Sequence, residues 1–393
     1  MNLIERPIIS SMLDDDLYKF CMHQAFMELF PNAVGVYKFT NRGKNRFTQD
    51  FIDSLNYQLH ECLPRLKVTD DEINWLKSVC PFLKPWYLET LRNFRYDMNG
   101  VNCYLDSDND LIFEANGLFS NKMMLEVKVM AIISELYFEL VDTGWDYEGQ
   151  NDLANIKART LTDNGCKFVD FGTRRRRSFK SQAVVVQEMD KYEGFMGTSN
   201  VYLSYLMNLT PKGTQAHEWF QAMQSLEGIR NSNYYAMNNW VRVYNGSLGI
   251  ALTDTLGTEQ FLKNFSLRYA KLFDGVRWDS GDPYWYTDLI VDHYKKMGID
   301  PMSKTIIYSN ALDVDRAIKI KEYCEGKIKC SFGIGTHFTN DFGLNSRPLN
   351  MVIKLWSVNG IPVVKLSDDK GKENGDKDSV RVTKWICNNT PLD

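Results

Sequence analysis

The chain has 393 residues, 44% hydrophobic and 24% charged, a globular composition that excludes a disordered chain and, at about 150 residues per domain, predicts roughly two to three domains. Lys and Arg total 46 against 50 Asp and Glu, a net charge of −4, which argues against a dedicated nucleic-acid binder because that class carries a basic surplus. No apolar run approaches the ~18 residues that cross a bilayer, and no basic-then-apolar leader opens the chain, so a soluble, cytoplasmic protein is expected.

Residues 1–130 read as a mixed α+β domain. Leu17, Phe20, Cys21, Ala25 and Leu29 place an apolar stripe on a helix over Leu13–Phe30, whose three opening aspartates suit the helix dipole. A strand is predicted at Val34–Phe39. Apolar stretches on either side of Asp106–Asp110 predict a hairpin between Cys103 and Phe113. The helix pattern of Leu125–Leu140 leads into the second unit, residues 131–349.

From about residue 165 short apolar strands alternate with amphipathic helices. Cys166–Phe171 reads as a strand. Asp282 is a suitable N-cap with Pro283 at the first helical position, and that helix, striped by Tyr286, Ile290 and Tyr294, stops at Gly298. A strand at Thr305–Tyr308, a helix to about Gly326 and a strand over Lys327–Phe332 follow. This rhythm predicts parallel strands with helical crossovers: an α/β barrel first, an open doubly wound sheet second. Either fold places its chemistry at the carboxyl ends of the strands. The tail, 350–393, returns to strand-like sequence at Met351–Leu355 and Ile361–Leu366, so it is expected to rejoin the N-terminal domain. Its polar stretch Ser367–Ser379 is expected to be a mobile surface loop.

The chemistry-bearing residues fall in the predicted loops. Arg174–Arg177 follow a strand and would open a helix, opposing its dipole, so an anion is needed there; a nuclear-targeting or nucleic-acid patch is the alternative. Gly197-Thr198-Ser199-Asn200 and Gly213-Thr214-Gln215-Ala216-His217-Glu218 offer bared N–H groups and hydroxyls to phosphate oxygens. His217, in such a loop, is a candidate nucleophile or proton carrier. His23 and His293 lie on helical stripes and read as structural, His60 has no motif around it, and His337 stays open. Arg277 and Asp279, two apart at a strand end, face the same way; Asp279 suits ribose hydroxyls or a water-held Mg²⁺. Asp254 is a similar acid. Gly333-Ile334-Gly335-Thr336 suits a phosphate cradle at a late barrel strand. The eight cysteines show no C-x-x-C pair, which predicts free thiols rather than a metal or redox site.

Together with Leu13-Asp14-Asp15-Asp16-Leu17-Tyr18-Lys19, Phe171-Gly172-Thr173-Arg174-Arg175 and Asp279-Ser280-Gly281-Asp282-Pro283, these stretches occur in the order found in nicotinate phosphoribosyltransferases, which the chain resembles over nearly its whole length. The resemblance implies a type II phosphoribosyltransferase-like fold, an irregular α/β barrel with a mixed α+β N-terminal domain, working as a homodimer with shared active sites. It implies that nicotinate, phosphoribosyl pyrophosphate, ATP and water give nicotinate mononucleotide, pyrophosphate, ADP and phosphate, with ATP and Mg²⁺ as cofactors. His217 then matches a transiently phosphorylated histidine, Tyr18 a tyrosine that reaches the pyridine ring from the neighbouring subunit, and Phe171 a residue stacked on that ring. Arg174 and Arg277 match arginines near the base and the phosphates or ribose. Thr214 matches a threonine beside the base, Asp279 a ribose-binding acid, and Gly335 with Thr336 the 5′-phosphate loop. Asp254 or Asp279 would offset the positive charge that develops at C1. Nicotinamide-using relatives carry an acid at the position of Ser199, so Ser199 favours nicotinate by removing a repulsive carboxylate. Lys365, Lys370 and Lys372 could serve a nucleotide. The rivals are a nicotinamide or quinolinate enzyme of the same fold and a non-catalytic nucleic-acid module. Neither nucleic acid nor a membrane is expected as a partner.

Overall fold

Two sheets organise the computed structural model, whose described residues are 3–213, 215–369 and 371–389. The first is antiparallel and joins β1 (Val34–Asn41), β2 (Val101–Leu105) and β3 (Leu111–Leu118) to β10 (Met351–Val358) and β11 (Ile361–Pro362), in the order β11-β10-β1-β3-β2. The β2–β3 hairpin forms where the aspartate-rich turn predicts it: the Asp106 carboxylate accepts from the Asp108 and Asp110 N–H groups, both at 2.9 Å, so the side chain stands in for turn backbone. β10 lies beside β1, with Gly35 opposite Val358 and Asn41 opposite Met351. The tail therefore rejoins the N-terminal sheet, as expected. Of the second predicted tail strand, Ile361–Pro362 pairs with β10, and Lys365 forms a lone bridge with Asn374.

The second sheet is parallel throughout. It contains β4 (Phe168–Asp170), β5 (Phe195–Thr198), β6 (Ile250–Leu252), β7 (Gly275–Trp278), β8 (Thr305–Tyr308) and β9 (Lys329–Ile334), in the order β5-β4-β9-β8-β7-β6. The last strand returns to pair with the first, Phe332 opposite Phe168. That closure belongs to a barrel rather than a doubly wound sheet, and the ring is open only between β5 and β6. Inside it, Tyr308 lies 5.6 Å from Trp278 and 5.9 Å from Phe332, ring to ring. Each such aromatic contributes about 4–6 kcal/mol of gross burial, so the interior is a packed core and not a channel.

Four local expectations change. The first helix starts at Leu17, not Leu13, because the three aspartates before it are buried and spoken for. Asp14 grips Arg176 with both oxygens, at 2.6 and 2.7 Å, Asp15 holds Lys128 at 2.6 Å, and Asp16 accepts from Ser199 at 2.7 Å. The arginine run does not open a helix: the helix Phe179–Met189 begins after Ser178, which caps it. Arg176 is neutralised by Asp14, and Arg177 is fully buried between the Phe138 and Phe342 rings with Ser346 as its acceptor. Only Arg174 and Arg175 stay available to an anion. Gly197-Thr198-Ser199-Asn200 is no phosphate cradle, since Thr198 donates to Asp170 at 2.7 Å and Asn200 caps the helix Val201–Leu206. The stretch after Ser367 folds onto the barrel, where Asp368 accepts from Thr258, and then forms the helix Lys377–Asn388. The Asp282 cap, Pro283 and the stop near Gly298 appear as predicted.

Candidate active site

The carboxyl ends of the parallel strands bring the candidate residues together. Phe171 directly follows β4, Ser199 follows β5, Asp254 lies just past β6, Arg277 lies in β7 with Asp279 just past it, and Gly335 with Thr336 follow β9. Local chemistry sets several of them. Asp170, buried and pushed up to about 6 by desolvation, accepts from Thr198, Gln182 and the Gly172 N–H, locking the β4 and β5 loops to one another. Gly333 makes room for Phe171: a Cβ there would lie 2.2 Å from two carbons of its ring. Thr339 and Asn340 tie the Thr336 turn to the arginine loop by donating to the carbonyls of Gly172 and Arg175, at 3.0 and 2.8 Å.

His217 opens the helix His217–Leu226, in the gap between β5 and β6. Its Nε2 stands 2.8 Å from Asp254 Oδ1 and 3.5 Å from Asp279 Oδ2. The other oxygen of Asp254 accepts from Ser280 at 2.5 Å and from Lys365 at 2.8 Å. These partners hold the Asp254 carboxyl well below its usual range. A carboxylate only accepts, so Nε2 carries the imidazole proton and Nδ1 the lone pair. Burial and the Lys365 charge push His217 down to about 4, leaving it neutral and nucleophilic at neutral pH. Arg277 donates to Ser309 at 2.8 Å and to the Gln215 carbonyl at 3.0 Å, and stands 3.5 Å from Asp279. Asp279 keeps one-fifth of its side chain exposed, whereas Asp254 keeps almost none.

A second half of the site is cationic. Arg174 is partly exposed, 3.7 Å from Glu126, and its charge, with that of Glu126, acts on the Tyr18 hydroxyl of the same chain. Arg175 is pushed down to about 9 by burial and by the charges of Arg174 and Arg42, and Lys354, on β10, down to about 7 by burial and by Lys365 and Arg174. Among the described residues neither Arg175 nor Lys354 has a carboxylate at ion-pair distance. Cations left in this state await an anion. Beneath them Lys19 is buried between Glu126 at 2.6 Å and Glu218 at 2.7 Å, which fixes the residue next to His217.

Ser199 is buried and donates to Asp16, so it underlies the pocket through that carboxylate rather than lining it alone. Thr214 lies outside the described residues. His23, His293 and His60 stay out of the site; His337 sits on the Thr336 turn, 3.9 Å from Asp341. All eight cysteines are free. Sequence reading missed Arg42, Arg175 as a separate cation, Lys354 and Ser280, and placed Lys365 only loosely; a lone cation such as Lys354 on β10 carries no local signal.

The ligand atoms of His217, Asp254 and Asp279 lie within 4.8 Å of one another. This set does not fit a resident Mg²⁺, which prefers an octahedron of oxygens: Asp254 is saturated, and one of its partners is an ammonium.

No helix among the described residues is long and apolar enough to cross a membrane. The family model described as "Nicotinate phosphoribosyltransferase (NAPRTase) family" matches residues 166–390, and the corresponding N-terminal domain model matches residues 13–134. A Methanosarcina mazei protein named nicotinate phosphoribosyltransferase is 46% identical over 98% of this chain and all of its own length. The crystal structure of nicotinate phosphoribosyltransferase from Porphyromonas gingivalis superposes with a TM-score of 0.94 at 37% identity, over 97% of this chain and 100% of that one. The Vibrio cholerae structure gives 0.90 at 33% identity, over 100% and 96%.

Proposed function

The chain belongs to the nicotinate phosphoribosyltransferase family and is an enzyme of that kind, acting in NAD salvage; from that premise we propose that ATP drives the transfer by phosphorylating His217 at Nδ1. The observation that carries this reading is the 2.8 Å contact between Nε2 and Asp254, which leaves the Nδ1 lone pair without a hydrogen-bond partner among the described residues.

The imidazole attacks the γ-phosphorus of ATP. An N–P bond forms, the bond to the β-phosphate oxygen breaks, and ADP leaves with the electron pair. Asp254 holds the Nε2 proton and balances the phosphoimidazolium charge. The new phosphoryl oxygens then attract nearby cations and order the cleft around phosphoribosyl pyrophosphate. Arg174 pairs with the nicotinate carboxylate and Phe171 stacks on the ring, with Tyr18 completing the base pocket. The ring nitrogen, held in line, bonds to C1 as the C1–oxygen bond breaks and pyrophosphate departs. Asp279 rather than the saturated Asp254 offsets the charge at C1. Arg277 holds phosphate or ribose oxygens, and Gly335 with Thr336 the 5′-phosphate. Water then cleaves the N–P bond, releasing phosphate and restoring His217. Mg²⁺ enters only as the counter-ion of the phosphates.

Ser199 supports nicotinate over nicotinamide, because it adds no carboxylate and engages the one already present at Asp16. The reading includes a homodimer in a reducing cytosol, with residues 1–130 and the returning tail capping the barrel unit 131–349. Pyrophosphate release from nicotinate and phosphoribosyl pyrophosphate, with and without ATP, tests the coupling. His217→Ala should abolish ATP stimulation and ATP hydrolysis while slow ATP-independent turnover persists. Full stimulation in that variant would end the phosphohistidine reading.

A further inference from the structure

The returning tail delivers one side chain into the energy-coupling half of the site. Lys365 sits with its Nζ 2.8 Å from Asp254 Oδ2 and only 11% of its side chain exposed. Its position is over-determined. The Gln224 amide donates to the Val364 carbonyl at 2.7 Å and accepts from the Val364 N–H at 3.0 Å. Lys365 itself exchanges two backbone bonds with Asn374, both 2.9 Å, and the Leu366 N–H reaches the Thr255 carbonyl at 2.7 Å. Gln224 lies on the helix that begins at His217, so one rigid element fixes both the imidazole and the lysine against the same carboxylate.

That arrangement solves a chemical conflict. A buried carboxylate whose main partner is an imidazole favours an ion pair with the imidazolium, and an imidazolium has no lone pair to attack phosphorus. A cation on the far oxygen removes this pull while leaving the near oxygen to orient the ring. The groups facing the pair are Asp279, just past β7, with Arg277 beside it, Lys354 from β10 and Asp368 from the tail; among the described residues Lys365 is the ammonium in direct contact with Asp254.

We propose that Lys365 is a positioning residue for phosphoryl transfer, its ammonium occupying Asp254 Oδ2 so that Oδ1 orients His217 as a neutral imidazole with Nδ1 free. This rests on the phosphohistidine reading and adds the residue that keeps the acceptor ready.

The test uses the full chain labelled with ¹³C at the histidine rings; with five histidines, the His217 signal is assigned by its loss in His217→Ala. The His217 titration midpoint should rise by about 1–2 pH units in Lys365→Met and Lys365→Gln. The acid limb of His217 labelling by [γ-³²P]ATP should move up with it, and Lys365→Arg should restore both. Labelling that falls equally at every pH, or a midpoint that stays put in folded variants, overturns the inference. If wild-type His217 takes no label, the phosphohistidine reading fails and this inference with it.

Discussion

Replacing Asp254 by Asn isolates what the carboxylate does, because the new side chain keeps the shape and loses one acceptor. Two donors, Lys365 at 2.8 Å and Ser280 at 2.5 Å, face one oxygen, and His217 Nε2 stands 2.8 Å from the other. The asparagine must turn its only oxygen toward the ammonium. Its NH₂ then points at Nε2, which has to become the bare nitrogen, and the proton moves to Nδ1, the atom required to attack. Flipping the amide back would set NH₂ against an ammonium and a hydroxyl, leaving two buried donors unanswered at roughly 2–3 kcal/mol each. The total, about 4–6 kcal/mol, predicts a loss of three to four powers of ten in the phosphorylation rate, comparable to tautomer errors in other histidine–aspartate pairs. Single-turnover labelling of Asp254→Asn by [γ-³²P]ATP measures it, with near-ultraviolet circular dichroism confirming the fold. Label arriving within tenfold of the wild-type rate would refute the reasoning.

Gly333→Ala should push the Phe171 ring aside, since the new methyl would sit 2.2 Å from it; the KM for nicotinate is expected to rise roughly tenfold or more, about 1.4 kcal/mol, and an unchanged KM would remove Phe171 from the base pocket. Arg176→Met strands the fully buried Asp14 with Asn200 as its remaining side-chain partner, costing about 3–5 kcal/mol in urea unfolding. Lys at that position should recover only part, lacking the two-pronged grip, and a full recovery would show that the second contact is idle. With His217 pushed down to about 4, the imidazole is neutral above that value and protonated below it. Labelling should therefore stay level from pH 8 to about 5 and then fall, whereas a limb centred on the ordinary histidine value of about 6.5 would contradict the site's electrostatics.

Much of the scaffold is legible in residue order. Strand-to-helix rhythm, the Asp282–Pro283 start and the Gly298 stop depend on neighbours a few positions apart, and they appear where predicted. The short Gly-bearing strand ends pointed correctly to one face of a barrel. Residue type and spacing singled out His217 and the Arg277–Asp279 pair as separate candidates; the family's motif order, not residue type, joined them in one site.

Partnership was not legible. Asp14, Asp15 and Asp16 look like a solvated helix start until the fold buries them against Arg176, Lys128 and Ser199. The four arginines look equivalent, yet Asp14, 162 residues away, neutralises one and an aromatic sandwich absorbs another. Lys365 reads only as one of three tail lysines that could serve a nucleotide until the tail threads back onto Asp254. Local periodicity specifies which backbone each segment adopts, since turns and apolar stripes are set by nearby residues. Which charge meets which is an energy between segments far apart in the chain, decided only when folding excludes water and makes each unpaired ion costly.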